Sequence, residues 1–167
     1  MKIYEDRSNL FSIGVGAMII TAERKLLLVR KKSKKTWSFP GGTLSIDDDL
    51  VKALNRELKE EIGLDSSFFE VRGILGIRHR FNPKHGNNIF VIFLLDCNNP
   101  VLKVNIIDKE EIAETRLFLF EDVIENIEID SIVKETFKKY LSKKQDILSE
   151  IKSELKPNDS SFYKLFL

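Results

Sequence analysis

The run FPGGTLSIDDDLVKALNRELKEEIGLD (Phe39–Asp65) limits the fold more than any other stretch of the chain. It starts in a Pro-Gly-Gly turn. Asp48 to Ile62 then reads as a helix, with acidic residues at its start and Gly63 as a C-terminal stop. At about 100° per residue, Leu54, Leu58, Val51 and Ile62 form one apolar arc. Glu57, Glu60 and Glu61 fall within an adjacent arc of roughly 100°, with Glu61 at the apolar edge. Lys52 and Lys59 point to the other side, the natural solvent face. Three carboxylates therefore sit where the helix turns into the core.

Such crowding has a cost. Like charges at i,i+3 and i,i+4 destabilise a helix by about 0.2–0.5 kcal/mol per pair. Partial burial without a counter-charge costs more and drives protons onto the carboxylates. Arg56 offsets one charge through an i,i+4 contact with Glu60, but it cannot easily neutralise all three. A divalent cation can, and hard oxygen ligands in a partly open site suit Mg²⁺. A solvated acidic patch is the alternative, and the helix alone does not decide between them.

The rest of the chain supplies strands. IGVGAMIITAERKLLLVRKK reads as two, Val15–Thr21 and Lys25–Arg30, around the polar turn AERK. The basic tract RKKSKK (Arg30–Lys35) reads on its own as a solvated loop, although TWSFPGG follows it directly. FFEVRGILGIRHRF and NNIFVIFLLDCN read as strands joined by the turn-rich NPKHGNN. RLFLF (Arg116–Phe120) is a further strand. Ser131 to Leu155 is predicted as a long helix, with Val133, Phe137, Tyr140, Leu141, Leu148, Ile151 and Leu155 as a broken apolar stripe ended by Pro157. Strands with one helix in the middle and one at the end predict a layered α/β domain.

With 167 residues, the chain is expected to be one domain with a sizeable core. Its 27 basic and 26 acidic residues leave a formal charge of +1, so no global field draws it to nucleic acid or anionic lipid. A phosphorylated ligand needs only local charge and is not excluded. The lone Cys97 cannot make an internal disulfide and fits a reducing compartment. Without a signal peptide or membrane-spanning segment, the expectation is a cytoplasmic, soluble protein. The apolar end SSFYKLFL has three uses open to it: packing on its own domain, capping a homodimer, or binding a partner.

GGTLSIDDDLVKALNRELKEEIGL resembles the signature of the Nudix hydrolase superfamily, in which Gly, five residues, Glu and seven residues precede Arg-Glu-apolar-any-Glu-Glu-any-Gly-apolar. Gly42 takes the first position, and Arg56, Glu57, Leu58, Glu60, Glu61, Gly63 and Leu64 fill the second half. The preceding Trp37–Gly41 is also typical. Three positions depart: Asp48 replaces the first Glu, Ser45 stands where an acid is common, and Asp47 where a glycine is common. The resemblance runs from about Ile13 to Val123. It implies an α/β/α sandwich around a mixed β-sheet, to which the C-terminal helix and tail (residues 131–167) are an addition to a core of about 11–140.

The resemblance further implies a hydrolase acting on a nucleoside diphosphate linked to another moiety, with Mg²⁺ or Mn²⁺. Glu57, Glu60 and Glu61 become metal ligands, with the Gly41 carbonyl beside them. Glu57 or Glu60 acts as base in some relatives, and Arg56 orients a glutamate. Glu111 and Glu114 are candidates for an additional downstream acid. Trp37 and Phe39 are candidates for stacking on a base, with Trp37 packing under the turn as the commoner outcome. Arg78 and His79 are candidate substrate contacts. The Arg-His pair slightly favours ADP-ribose- or NADH-like substrates over nucleoside triphosphates. The competing class is a Nudix-fold binding module that has lost hydrolysis, for which Asp48 and Ser45 are the supporting departures.

Overall fold

The computed structural model describes residues 11–83, 86–97, 104–142, 150–151 and 162–166. Its spine is β1 (Phe11–Thr21), buried on both faces from Gly14 to Thr21. Such a strand must be apolar throughout, as GVGAMII is. It runs parallel to β5 (Gly86–Cys97), in register from Phe11–Asn87 to Thr21–Cys97. On its other side β2 (Lys25–Lys31) pairs antiparallel. The remaining strands are β3 (Trp37–Ser38), β4 (Glu70–Asn82), β6 (Ile112–Leu119), β7 (Glu150–Ile151) and β8 (Phe162–Phe166). Their order is β3-β2-β1-β5-β4-β8-β7, with β6 on β2. The parallel β1–β5 pairing beside antiparallel ones makes the sheet mixed, as expected.

Because strand side chains alternate, β1 feeds two cores. Val15, Ala17 and Ile19 face α1 (Leu50–Ile62), meeting Ala53, Leu54, Leu58 and Ile62. Met18 and Ile20 face the opposite side, with Val123 of α2 (Phe120–Glu125) and Val133 and Phe137 of α3 (Ser131–Ser142). Helices on both faces of one sheet give the expected α/β/α layering. Each fully buried leucine or isoleucine of α1 contributes about 1.5–3 kcal/mol, so the acidic helix is anchored mainly by its apolar face.

The ends of α1 are set locally. Asp49 caps its start, accepting a hydrogen bond from Lys52 N at 2.8 Å. Gly63 takes φ +66° and ends it, and Leu64 N–H reaches back to the Leu58 carbonyl at 3.1 Å.

Several expectations need correction. β1, β2 and β6 are longer than predicted, β4 starts only at Glu70, and Val51 is exposed, so the apolar arc consists of Ala53, Leu54, Leu58 and Ile62. Among the described residues the helix from Ser131 runs to Ser142, and Glu150–Ile151, expected to continue it, is a strand. Leu148 and Leu155 lie outside the described residues. The end of the chain does not follow helical periodicity: Phe162–Phe166 pairs antiparallel with β4 along Ile77–Phe81, and β7 pairs with β8. Of the three uses open to the tail, the structure has it pairing on its own chain. The short α2 and β3 were not anticipated. Among the described residues, no helix is long and apolar enough to cross a membrane.

Candidate active site

The Pro-Gly-Gly segment runs beside β1, with Val15 N–H donating to Gly42 O at 2.9 Å and Ala17 N–H to Pro40 O at 3.0 Å. It fits only because of its glycines. A Cβ on Gly41, at φ +139°, would meet Val15 O at 2.1 Å and Gly16 Cα at 2.7 Å. On Gly42 the obstacle is different. There a Cβ would fall on the carboxylate of Glu57.

Docking α1 against this turn sorts the three glutamates. Glu61 is 2% exposed and accepts a hydrogen bond from Gly41 N at 2.8 Å through Oε2. The Glu57 side chain is 14% exposed and that of Glu60 is 57% exposed. Arg56 gathers the outer acids: Nη1 donates to Glu57 Oε1 at 2.8 Å and to Glu60 Oε2 at 3.2 Å. Its Nε donates to Asp48 Oδ2 at 3.0 Å, and Nη2 to Thr43 O at 2.9 Å. The planar, five-donor guanidinium suits this role. Arg56 thus spans more than the single Glu60 contact that helical spacing anticipates. The shorter Asp48 still reaches it. Desolvation raises the Asp48 carboxyl, but hydrogen bonds and charge from Arg56 and Lys52 outweigh it and leave it below the usual range.

Lys31 faces the inner acid. Its Nζ donates to Gly41 O at 3.0 Å and to Glu111 Oε1 at 2.5 Å, and stands 2.8 Å from Glu61 Oε1. The approach to Glu61 is a nearly fully buried ion pair. Desolvation alone would lower the Lys31 ammonium, but Glu61 and Glu111 hold it above the ordinary lysine value. One ammonium does not fully compensate two carboxylates. Burial consequently pushes Glu61 up, an effect that Lys31 and Gly41 N–H oppose.

Glu111 is brought here by a loop laid along the end of α1. Ile107 N–H and Asp108 N–H donate to the carbonyls of Glu61 and Glu60, and Asp108 Oδ1 then accepts from the N–H groups of Glu110 and Glu111. Glu114, the other candidate, is committed elsewhere. It pairs with Arg30 and Arg116, whose guanidinium carbons lie 5.2 and 4.8 Å from the Trp37 ring.

The remaining candidates fare differently. Trp37 is buried, edge-on to Phe118. Phe39 is 4% exposed and belongs to the same core, a correction to its reading as a stacking surface. Arg78 donates to Asn88 Oδ1 and lies 5.1 Å from the Phe90 ring, while His79 Nε2 is 2.9 Å from Asn87 Oδ1. Lys31 is the residue that sequence reasoning missed. Its only signal was its place in RKK ten residues before Gly41, which read as loop; it ends β2 instead.

Among the described residues, no three His, Cys, Asp or Glu side chains form a metal-holding group. Of the three helix glutamates, Glu57 and Glu60 contact Arg56, and Glu61 contacts the Gly41 turn and Lys31. The convergence is of Glu61, Glu111 and the Gly41 carbonyl on a point held by an ammonium. These are hard oxygen donors around a seat for positive charge, one of them nearly fully buried. The donor set fits Mg²⁺ or Mn²⁺.

Comparison with known proteins agrees with this layout. The family model for the NUDIX domain matches residues 10–140. The chain is 34% identical over 118 residues to nucleoside diphosphate-linked moiety X motif 6 of Mus musculus, covering 62% of this chain and 37% of that protein. It is 39% identical over 59 residues to an RNA pyrophosphohydrolase of Marinomonas sp. (strain MWYL1), covering 35% and 37%. The matches thus span little more than a third of these relatives. A solved MutT protein from Methanosarcina mazei Go1 gives a TM-score of 0.66 at 22% identity, over 81% of this chain and 96% of that one. A C. elegans Ap4A hydrolase gives 0.66 at 18% identity, over 78% and 96%. At such identities the structural likeness speaks for the fold alone. A family match across most of the chain, joined to the glycine turn and the acidic helix docked on it, shows that this chain belongs to the NUDIX domain family.

Proposed function

We propose that this chain is a Mg²⁺- or Mn²⁺-dependent hydrolase, cutting a phosphoanhydride bond in a nucleoside diphosphate linked to a further moiety. The observation that carries the reading is the convergence of Glu61, Glu111 and the Gly41 carbonyl on one cation seat, next to Glu57 packed on Gly42. Glu61, Glu111 and the Gly41 carbonyl are the oxygens that would hold metal at this seat, and the family resemblance adds Glu57 and Glu60, which here contact Arg56. When bound, a divalent ion neutralises pyrophosphate oxygens and lowers the pKa of an attacking water.

The protein's own part is mainly positioning, as phosphoryl chemistry requires. Arg56 holds Glu57 and Glu60 at fixed places on the outer edge. Gly41 N–H fixes one oxygen of Glu61, leaving the other turned toward the seat. Glu60, the most open of the three, is the carboxylate best placed to meet solvent and substrate. The Arg56–Asp48 contact also favours an enzyme over a binding module, since the departure at Asp48 leaves the clamp intact.

An ADP-ribose- or NADH-like dinucleotide is the first substrate to try, with Arg78 and His79 as polar contacts on β4. RNA and Ap4A belong in the same panel, because similar proteins carry those words in their names. The test is a substrate panel with Mg²⁺ or Mn²⁺, with products read by ³¹P NMR. Release of a nucleoside monophosphate or pyrophosphate from one compound supports the reading. Tight nucleotide binding with no product from any compound would replace it with a binding module.

A further inference from the structure

The chain's own cation occupies the point where its acids and turn carbonyl meet. We propose that Lys31 is a built-in competitor for the divalent ion: its ammonium holds Glu61, Glu111 and the Gly41 carbonyl together, and must leave that seat for metal to enter. This rests on the metal-dependent reading above.

Three observations carry it. First, Lys31 Nζ makes all three contacts at once, at 2.5 to 3.0 Å, with oxygens from three separate parts of the fold: the turn, α1 and the loop before β6. Second, Glu61 is nearly fully buried, and its Oε1 stands 2.8 Å from the Lys31 ammonium. A lysine brings one positive charge to two carboxylates, where a divalent ion would bring two. Third, the lysine side chain can leave the seat by rotation about its own bonds. It ends β2 on a four-carbon stem with rotatable donors, whereas the turn is locked by its glycines.

A competitor of this kind has a calculable effect. The apparent dissociation constant rises by the reciprocal of the fraction of molecules whose seat is open. If Lys31 holds the seat about nine-tenths of the time, metal binding is weakened about tenfold. The arrangement also explains how the protein tolerates two facing carboxylates before metal arrives: Lys31 supplies the missing charge.

The test is Mn²⁺ binding followed by electron paramagnetic resonance, without nucleotide, on full-length wild type, Lys31→Met and Lys31→Arg. Thermal melting with and without Mn²⁺ runs in parallel. Lys31→Met should bind Mn²⁺ at least about tenfold more tightly, melt lower without metal, and gain more from it. Lys31→Arg, which keeps a cation, should stay near wild type. Lys31→Gln gives the same comparison should the methionine variant not fold. Equal or weaker binding by both uncharged variants, with wild type binding Mn²⁺ and turning over substrate, would overturn the competitor alone. Failure of wild type to bind Mn²⁺ at all would overturn the metal-dependent reading with it.

Discussion

Glu57 presses its carboxylate onto the Cα of Gly42: a Cβ on that glycine would stand 2.2 Å from Oε2 and 2.4 Å from Cδ. The obstacle is the end of a side chain, so it can shift where backbone could not. Gly42→Ala should therefore fold and melt near wild type while displacing Glu57. Misplacement by about 1 Å can cost about a hundredfold in rate, and turnover of the best substrate should fall by that order. Unchanged kcat would show that the position of Glu57 does not matter to the chemistry.

Arg56 joins the loop before α1 to the acids on it, through Asp48, Thr43 O, Glu57 and Glu60. Lysine offers one compact ammonium in place of the fork and cannot span these partners. Arg56→Ala should lose about 1–2 kcal/mol of stability, discounted because the side chain is partly exposed. Arg56→Lys should recover part of that stability but little of the activity. Denaturant unfolding beside steady-state kinetics separates the two effects.

The Asp48 carboxyl is depressed in the folded protein: desolvation opposes the shift, and Arg56 and Lys52 outweigh it. Its contribution is then fully present above the unfolded aspartate value of about 3.9 and is lost as pH falls through the lower folded value. Asp48→Asn should melt below wild type at neutral pH, and the two curves should converge in acid below about pH 4. A difference that persists at low pH would assign the effect to shape, not charge.

Strand β8 covers the edge of β4 from Ile77 to Phe81. A chain ending at Ile151 would leave those N–H and C=O groups without their strand partner, and open edges invite pairing with another chain. The truncated protein should self-associate with concentration in light scattering, while the full chain does so less. Equal behaviour would mean that the edge is protected in some other way.

Much of this was legible in residue order. The acidic helix, its Gly63 stop, the Pro-Gly-Gly turn and the long apolar strands all follow local rules of periodicity and turn chemistry. Three features were not, and each depends on contacts distant in sequence. Glu111 and Glu114 lie in one acidic stretch, and only the loop's hydrogen bonds to the end of α1 send one to Lys31 and the other strand pairing to Arg30. Lys31 sits in a run of similar cations, so composition cannot single it out. At the end of the chain, Ile151 continued a helical spacing, but pairing between β7 and β8 prevailed over it.

Whether the chain is a divalent-metal-dependent hydrolase is decided by turnover of the panel's best substrate in wild type, Glu57→Gln and Glu61→Gln. Turnover should require Mg²⁺ or Mn²⁺ and collapse by at least about a hundredfold in both variants, with the fold intact by circular dichroism. Turnover that persists in both variants, or that proceeds equally with metal chelated, would contradict that reading.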